Sequence, residues 1–517
     1  MRRYSICAAL ALLFAAPAHA AAPRVSEFGM KVPAVRAASR ALVLKAPHRY
    51  DMVGATWRGG GTLLLRGRAL HGRWSPSRQV EAGDPVWAGG YDYVELRTRG
   101  SLRGLRLHFV RIQRMAHAAR KVQVPAPGGT TLDVVPRSAW GASRCKPRHT
   151  AGYGRVDFGI VHHTTTLNGY RRSDSPAIVL GICLFHRNVN GWNDIGYNML
   201  VDRYGQVFEG RAGGIDEPVV GAQAGGFNLH SAGVATLGNF GYRQLPAAGV
   251  DALAHVLAWK LSLSGVPPEG KIGVVSNGGP DTPFRAGTFV SVNRISGHRD
   301  VDSTACPGSA LYAQLPQLRL QVAALEGPVG QLSLTAPTNV LTYPQQLALG
   351  GKLTPPPGMA IPPGATVQIQ DRLAAGGRTL LTLPLAPDGS YGGSLPLAHN
   401  DTVRALFVGD GTLPRLSAAP VAAYVVPVVT LQAAPPANGA VTLSGTVAPA
   451  KRRLLVEEQV FRKRAFRRVR FIKVNAVNGA YSLAVKLPKP GSYRFVARSP
   501  ADRLTALGAS PPVPAIT

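Results

Sequence analysis

The chain runs to 517 residues, too many for one hydrophobic core, so three or four domains are expected. Its formal net charge is +31, yet no helix-turn-helix pattern and no aromatic platform accompanies that charge, which argues against a nucleic-acid partner. Aromatic residues make up only 7%, while 59 glycines and 42 prolines signal many turns and short strands.

Arg2-Arg3, an apolar run from Ile6 to Ala16 and then Ala18-His19-Ala20 read as a signal peptide over residues 1–20, so the protein is expected to be secreted. That run is too short to span a bilayer, and no later stretch approaches ~20 apolar residues, so no transmembrane segment is expected. Residues 21–49 are polar without a clear period and read as an arm or linker. Over residues 50–115 the text alternates, as in Val94-Glu95-Leu96-Arg97-Thr98 and Leu105-Arg106-Leu107-His108-Phe109, which predicts a β-sandwich. Residues 116–131, with Val124-Pro125-Ala126-Pro127-Gly128-Gly129, read as a linker.

Residues 132–327 alternate strand and helix signals. Phe158-Gly159-Ile160-Val161-His162 is a buried strand with His162 at its C-terminal end, and Ser175-Pro176 opens a helix with an apolar face of Ile178, Ile182, Phe185 and Val189. A second amphipathic helix carries Val250, Leu253, Ala254, Leu257 and Leu261. Such alternation predicts an α/β domain with a mixed central sheet.

Beyond residue 327 the helical signals stop. Pro387-Asp388-Gly389-Ser390-Tyr391 aligns with Val477-Asn478-Gly479-Ala480-Tyr481, and Leu349-Gly350-Gly351-Lys352-Leu353 with Leu443-Ser444-Gly445-Thr446-Val447. The Asp-Gly and Asn-Gly pairs are hairpin signals. Two β-sandwich repeats follow, 328–427 and 428–517, similar to bacterial immunoglobulin-like repeats. Basic charge gathers on the flanks. Residues 22–120 hold 18 basic and 6 acidic side chains, and residues 428–517 hold 15 and 3. Lys451-Arg452-Arg453, Arg462-Lys463-Arg464 and Arg467-Arg468-Val469-Arg470 would form one patch if the strand from Leu454 to Val460 closes a hairpin. Anionic cell-wall polymers bearing phosphate or carboxylate suit such a patch outside a cell; a merely solvated basic surface is the alternative.

The chemistry concentrates between His162 and Cys306. Two imidazoles and a thiolate are borderline-soft donors suited to Zn2+, and three protein ligands leave a fourth position for water. Spacing alone leaves it open whether His162, His298 and Cys306 are ligands or ordinary side chains.

Seven segments resolve this by resemblance: Val135-Pro136-Arg137-Ser138-Ala139-Trp140-Gly141, Val161-His162-His163-Thr164, Asn193-Asp194-Ile195-Gly196-Tyr197-Asn198, Gly205-Gln206-Val207-Phe208-Glu209-Gly210-Arg211, Val219-Val220-Gly221-Ala222, Gly297-His298-Arg299-Asp300 and Cys306-Pro307-Gly308. In that order they resemble the zinc amidase domain of peptidoglycan recognition proteins and type 2 N-acetylmuramoyl-L-alanine amidases. The resemblance implies His162, His298 and Cys306 as zinc ligands, Tyr197 as a catalytic acid–base or oxyanion group, and Thr304 as a hydrogen-bond donor beside the metal. A plain packed ring is the alternative for Tyr197. His163 would face away from the metal and be structural.

With Cys7 in the leader and Cys306 on the metal, Cys145 and Cys183 are left to form a disulfide; a buried thiol at Cys183 is the alternative. Gln223 stands where the family usually has His. It is expected to affect the substrate groove and to leave the metal triad untouched. The activity implied is hydrolysis of the amide between N-acetylmuramic acid and L-alanine in peptidoglycan. The alternative is a cell-wall protein that binds the muramyl peptide without cutting it.

Overall fold

The computed structural model describes residues 23–33, 41–81, 83–112, 120–126, 130–326, 330–371, 378–409, 413, 415–502 and 504–516. The signal peptide expected over residues 1–20 lies outside the described residues. No helix among the described residues is long and apolar enough to cross a membrane. Contacts divide the chain into two compact units. One draws on residues 1–121, 135–146 and 169–191, the other on residues 122–134, 147–168 and 192–517.

The first unit is built on one six-stranded antiparallel sheet, where a sandwich of two sheets was expected. Its order is Val25–Lys31, Arg103–Ile112, Leu42–Arg58, Val86–Arg99, Thr62–Arg68 and Arg78–Val80. Register shifts near Tyr50 interrupt the pairing of the two longest strands, and such irregularities bend a strand. Tyr50, Val53, Leu63, Val94, Leu107 and Phe109 share its core. Residues 21–49 were expected to be an arm or linker, but their described part forms strands. Val25–Lys31 pairs along its whole length with Arg106–Ile112, and Leu42–Arg58 is the longest strand of the sheet. Their exposed faces are polar, which masked the alternation of Phe28 and Met30 and of Leu42 and Leu44 that packs against the core.

Helix α1 (Ser175–Asn188) belongs to this unit. Every residue from Ser175 to His186 is buried, so its apolar stripe covers only part of what it hides. Two glycines permit the approach to the sheet. A side-chain carbon on Gly181 would run into Met52, and one on Gly54 would overlap the Phe185 ring. The Phe185 ring also meets His108 edge-on, 6.0 Å between centroids. Cys183 on this helix is joined to Cys145 by a disulfide, Cα to Cα 6.2 Å. Just upstream, Arg137 stacks over the fully buried Trp140 and donates to the Cys145 carbonyl at 3.1 Å.

The second unit holds a seven-stranded mixed sheet in the order Ile295–Gly297, Phe158–His163, Ser231–Thr236, Met199–Val201, Val207–Glu209, Thr130–Val135 and Val122–Ala126. The first four strands run parallel. Residues 116–131 were expected to be a linker; instead Val122–Ala126 is the edge strand of this sheet. Pro125 is tolerated there because an edge strand has one side without ladder bonds.

Phe158–His163 is buried on both faces, as parallel strands are. Val161 packs into the core formed with α2 (Ala247–Ser262) and α3 (Ser309–Glu326), through Leu253, Leu257, Leu311 and Leu318. Phe158 and Ile160 face a smaller core with Phe227, Val274, Val292 and Val301. His162 therefore shares its side of the strand with Ile160, and His163 points the other way.

After α3 come two all-β segments with cores around Val367, Ile369 and Val403 and around Val441, Val456 and Phe495. One device occurs in both. The Tyr391 hydroxyl donates to the Ser333 carbonyl, and the Tyr481 hydroxyl to the Thr430 carbonyl. Gly351 and Gly445 lie beneath these hooks, where a side-chain carbon would strike the same carbonyls. The first of these segments is held to the mixed-sheet domain. Arg404, 2% exposed, forms a two-pronged pair with Glu217, and Ser417 N–H donates to the Leu263 carbonyl at 3.0 Å.

Candidate metal centre

Adjacent parallel strands deliver the two imidazoles. Gly297 pairs with Val161, so the residues that follow each, His298 and His162, emerge side by side at the C-terminal ends. His298 opens a short 3-10 turn closed by Gly297 N–H donating to Asp300 Oδ2 at 2.9 Å. The chain then loops back to bring Cys306 alongside. One donor atom from each of His162, His298 and Cys306 lies within 4.8 Å of the others. Cys306 Sγ is 3.7 Å from His162 Nδ1, and the imidazole centroids are 4.4 Å apart.

The outer nitrogen of each ring is engaged. His162 Nε2 meets the Gln223 side-chain oxygen, and His298 Nε2 is 2.8 Å from Asp302 Oδ2. Gln223 has one orientation available. Its amide nitrogen donates to Ser231 Oγ at 2.8 Å, and Ser231 donates to the Phe227 carbonyl at 2.9 Å. The Gln223 oxygen is thus the end facing His162, which puts the ring proton on Nε2 and the lone pair on Nδ1, toward Cys306. Asp302 is similarly held, accepting from Gly225 N–H at 2.8 Å.

Burial holds the His162 pKa well below the usual imidazole range, and the neighbouring His298 pushes the same way, while Gln223 opposes them. A neutral imidazole is what a metal requires. The Cys306 sulfur receives the His163 N–H at 3.3 Å, a contact that favours the thiolate. Two imidazoles, each with its outer nitrogen hydrogen-bonded, and a hydrogen-bonded sulfur fit a zinc ion in donor type and in outer-sphere support.

Tyr197 is half-buried, its ring 5.3 Å from that of His162. Gly210 lets the next strand pass, since a side-chain carbon there would collide with the Tyr197 carbonyl. Thr304 is half-exposed; its hydroxyl accepts the Cys306 N–H at 3.1 Å and so shapes the loop that presents the sulfur. His163 stands apart from this group. Its Nδ1 accepts the Phe240 N–H at 3.2 Å, and burial pushes its pKa down to about 3.

One expectation is corrected. Gln223 does not leave the triad untouched, since it is 6% exposed and bonded to the His162 ring. Its distance in sequence from His162 hid that contact. Asp302 and Ser231 went unread as well. For Asp302 a signal existed: a carboxylate four residues after a histidine on a turn is placed to hold that ring.

Residues 152–309 match the family model described as N-acetylmuramoyl-L-alanine amidase, Amidase_2. The chain is 29% identical over 186 residues to peptidoglycan-recognition protein SC2 of Drosophila simulans, covering 36% of this chain and 85% of that protein. Against the N-acetylmuramoyl-L-alanine amidase of Mus musculus it is 28% identical over 184 residues, covering 34% of this chain and 29% of that one. Among solved structures, Drosophila PGRP-LB is 26% identical, covers 35% of this chain and 91% of its own, and superposes with a TM-score of 0.27. Residues 152–309 therefore form a domain of the family shared by peptidoglycan recognition proteins and type 2 N-acetylmuramoyl-L-alanine amidases.

Proposed function

We propose that this chain is a secreted, zinc-dependent N-acetylmuramoyl-L-alanine amidase that hydrolyses the amide between N-acetylmuramic acid and L-alanine in peptidoglycan. The observation that carries the reading is the cluster of His162, His298 and Cys306, with both imidazoles held by outer partners. A groove that only binds muramyl peptides needs shape and hydrogen bonds; it has no use for a cysteine sulfur flanked by two oriented imidazoles.

Zinc held by these three side chains would acidify a water to a pKa of roughly 7 and polarise the scissile carbonyl. Gln223 and Asp302 would keep the ring protons on the outer nitrogens throughout the cycle. The Tyr197 hydroxyl, beside His162, would donate to the oxygen that gains charge as the carbonyl carbon becomes tetrahedral. Thr304 would hold the Cys306 loop in place.

The test is digestion of purified peptidoglycan, following release of the stem peptide from muramic acid. The wild-type chain should cut, a chelator should stop it, and added zinc should restore it. Cys306→Ser should lose both metal and cutting while remaining folded. Tyr197→Phe should keep its metal and its affinity for substrate yet turn over roughly 10²–10⁴-fold more slowly. Binding of peptidoglycan without cleavage, with zinc present, would make the chain a recognition protein instead.

A further inference from the structure

The last β segment carries a hairpin at the edge of its sheet. Arg453–Arg462 pairs with Ala465–Asn475, and among the described residues the second strand has no neighbour beyond it in the sheet. Lys463 and Arg464 form the two-residue turn, both in left-handed backbone with φ 49° and 64°. That conformation favours Asn and Gly. The same segment uses Asn-Gly at two other tight turns, Asn438-Gly439 (φ 51° and 70°) and Asn478-Gly479 (φ 51° and 81°). Two cations thus occupy a position where this chain elsewhere uses the residues that suit it.

The flanking strand repeats the theme. Arg462, Lys463, Arg464 and Arg467 are exposed and have no ion pair among the described residues. The acidic residues that could offset them are turned away: Glu457 and Glu458 are buried and paired with Arg498 and Arg470. Charge on an edge strand ordinarily prevents pairing with other chains. That explanation fails for the apolar residues among it, since Phe461 and Val469 are each 51% exposed and Phe471 is 43% exposed. Arg468 lies over the Phe471 ring at 4.9 Å, and Arg494 over that of Phe466 at 4.3 Å. Exposed rings set beside arginines are a platform, and the linear sequence does not display it.

We propose that this hairpin is a docking surface for an anionic glycan polymer, one that repeats a phosphate or carboxylate along a chain containing sugars. The cations read the repeated charge, and the rings offer apolar faces to the sugars. The amidase family of the same chain concerns a glycan polymer, which favours a sugar-bearing anion over a nucleic acid; the choice of sugar rests on the reading above, the anion site does not.

The test uses the full chain, a glycosylated poly(glycerol phosphate), polygalacturonate and a single-stranded oligonucleotide, with affinities measured at low salt and near 0.5 M salt. Lys463→Asn with Arg464→Gly installs the turn the chain uses elsewhere, so its unfolding temperature should hold or rise. Its affinity for at least one glycan anion should fall about tenfold at low salt. Phe471→Ser should remove the part of the affinity that survives high salt. Preference for the phosphodiester or for the uronate identifies the anion. Unchanged affinity in both variants, no binding by the wild-type chain, or tighter binding of the oligonucleotide than of either polymer would overturn the proposal. Because neither variant touches residues 152–309, loss of docking with cleavage intact is distinguishable from failure of the catalytic reading.

Discussion

At the scale of single residues, the two imidazoles of the cluster are supported unequally. A carboxylate, Asp302, backs His298, while a neutral amide, Gln223, backs His162. A carboxylate partner raises the basicity of a ligand imidazole more than an amide does. Gln223→Leu removes the acceptor and frees the ring to flip, so zinc affinity should fall by roughly 10–100-fold. Gln223→Glu should bind zinc more tightly than the wild type. Competition against a chromophoric chelator, with the visible spectrum of the cobalt-substituted protein as a second reading, checks both. Affinities equal across the three proteins would reduce Gln223 to packing. The grouping of His162, His298 and Cys306 was legible because the three stand in short segments that resemble a known family. Their supporting partners were not, because Gln223 and Ser231 reach His162 only once parallel strands are laid side by side.

At the scale of elements, buried strands and amphipathic helices announced themselves, and covered helices did so only in part. The stripe of Ile178, Ile182 and Phe185 predicted one hidden face for α1, yet the opposite face is hidden as well. What allows this is the absence of a side chain at Gly54 and Gly181, which an apolar period does not register. The two polar-faced strands before residue 50 were lost for the converse reason, since half of each is solvated.

The end of α3 offers a pH test. Glu326 is 5% exposed, neither carboxylate oxygen has a hydrogen-bond partner among the described residues, and burial pushes its pKa up to about 9. A carboxyl whose pKa is higher folded than unfolded contributes stability that is complete below about 4.5 and lost as pH rises through about 9. The wild type should therefore weaken across that window relative to Glu326→Gln, which has no proton to take up. Thermal unfolding should show the two proteins alike near pH 4 and the variant more stable above neutrality. Parallel curves over the whole range would mean that Glu326 is solvated.

At the scale of the whole molecule, the sequence divided neatly at residue 327, and the structure does not. Arg404 from the first β segment, together with Arg415, meets Asp216 and Glu217 of the mixed-sheet domain, and Gln370 completes the guanidinium's partners. A buried ion pair adds little compared with apolar packing, but breaking one side of it is costly. Arg404→Leu should destabilise the second unit by about 3–5 kcal/mol, and Arg404→Leu with Glu217→Leu should recover much of that loss. Urea unfolding, with amide exchange read over residues 213–222, measures both. A double variant no better than the single one would show that the two side chains are not coupled. Such a pair is invisible in sequence because its members lie 187 residues apart and each looks like an ordinary surface charge.

The Cys145–Cys183 bond has a consequence for wear. It closes a covalent ring of chain that contains the whole of Phe158–His163, the strand carrying His162. A protease that cuts anywhere between those cysteines severs a peptide bond without releasing a fragment, and His162 stays tethered to both ends of the break. The ring lets a nicked molecule keep the strand on which the cluster of His162, His298 and Cys306 depends.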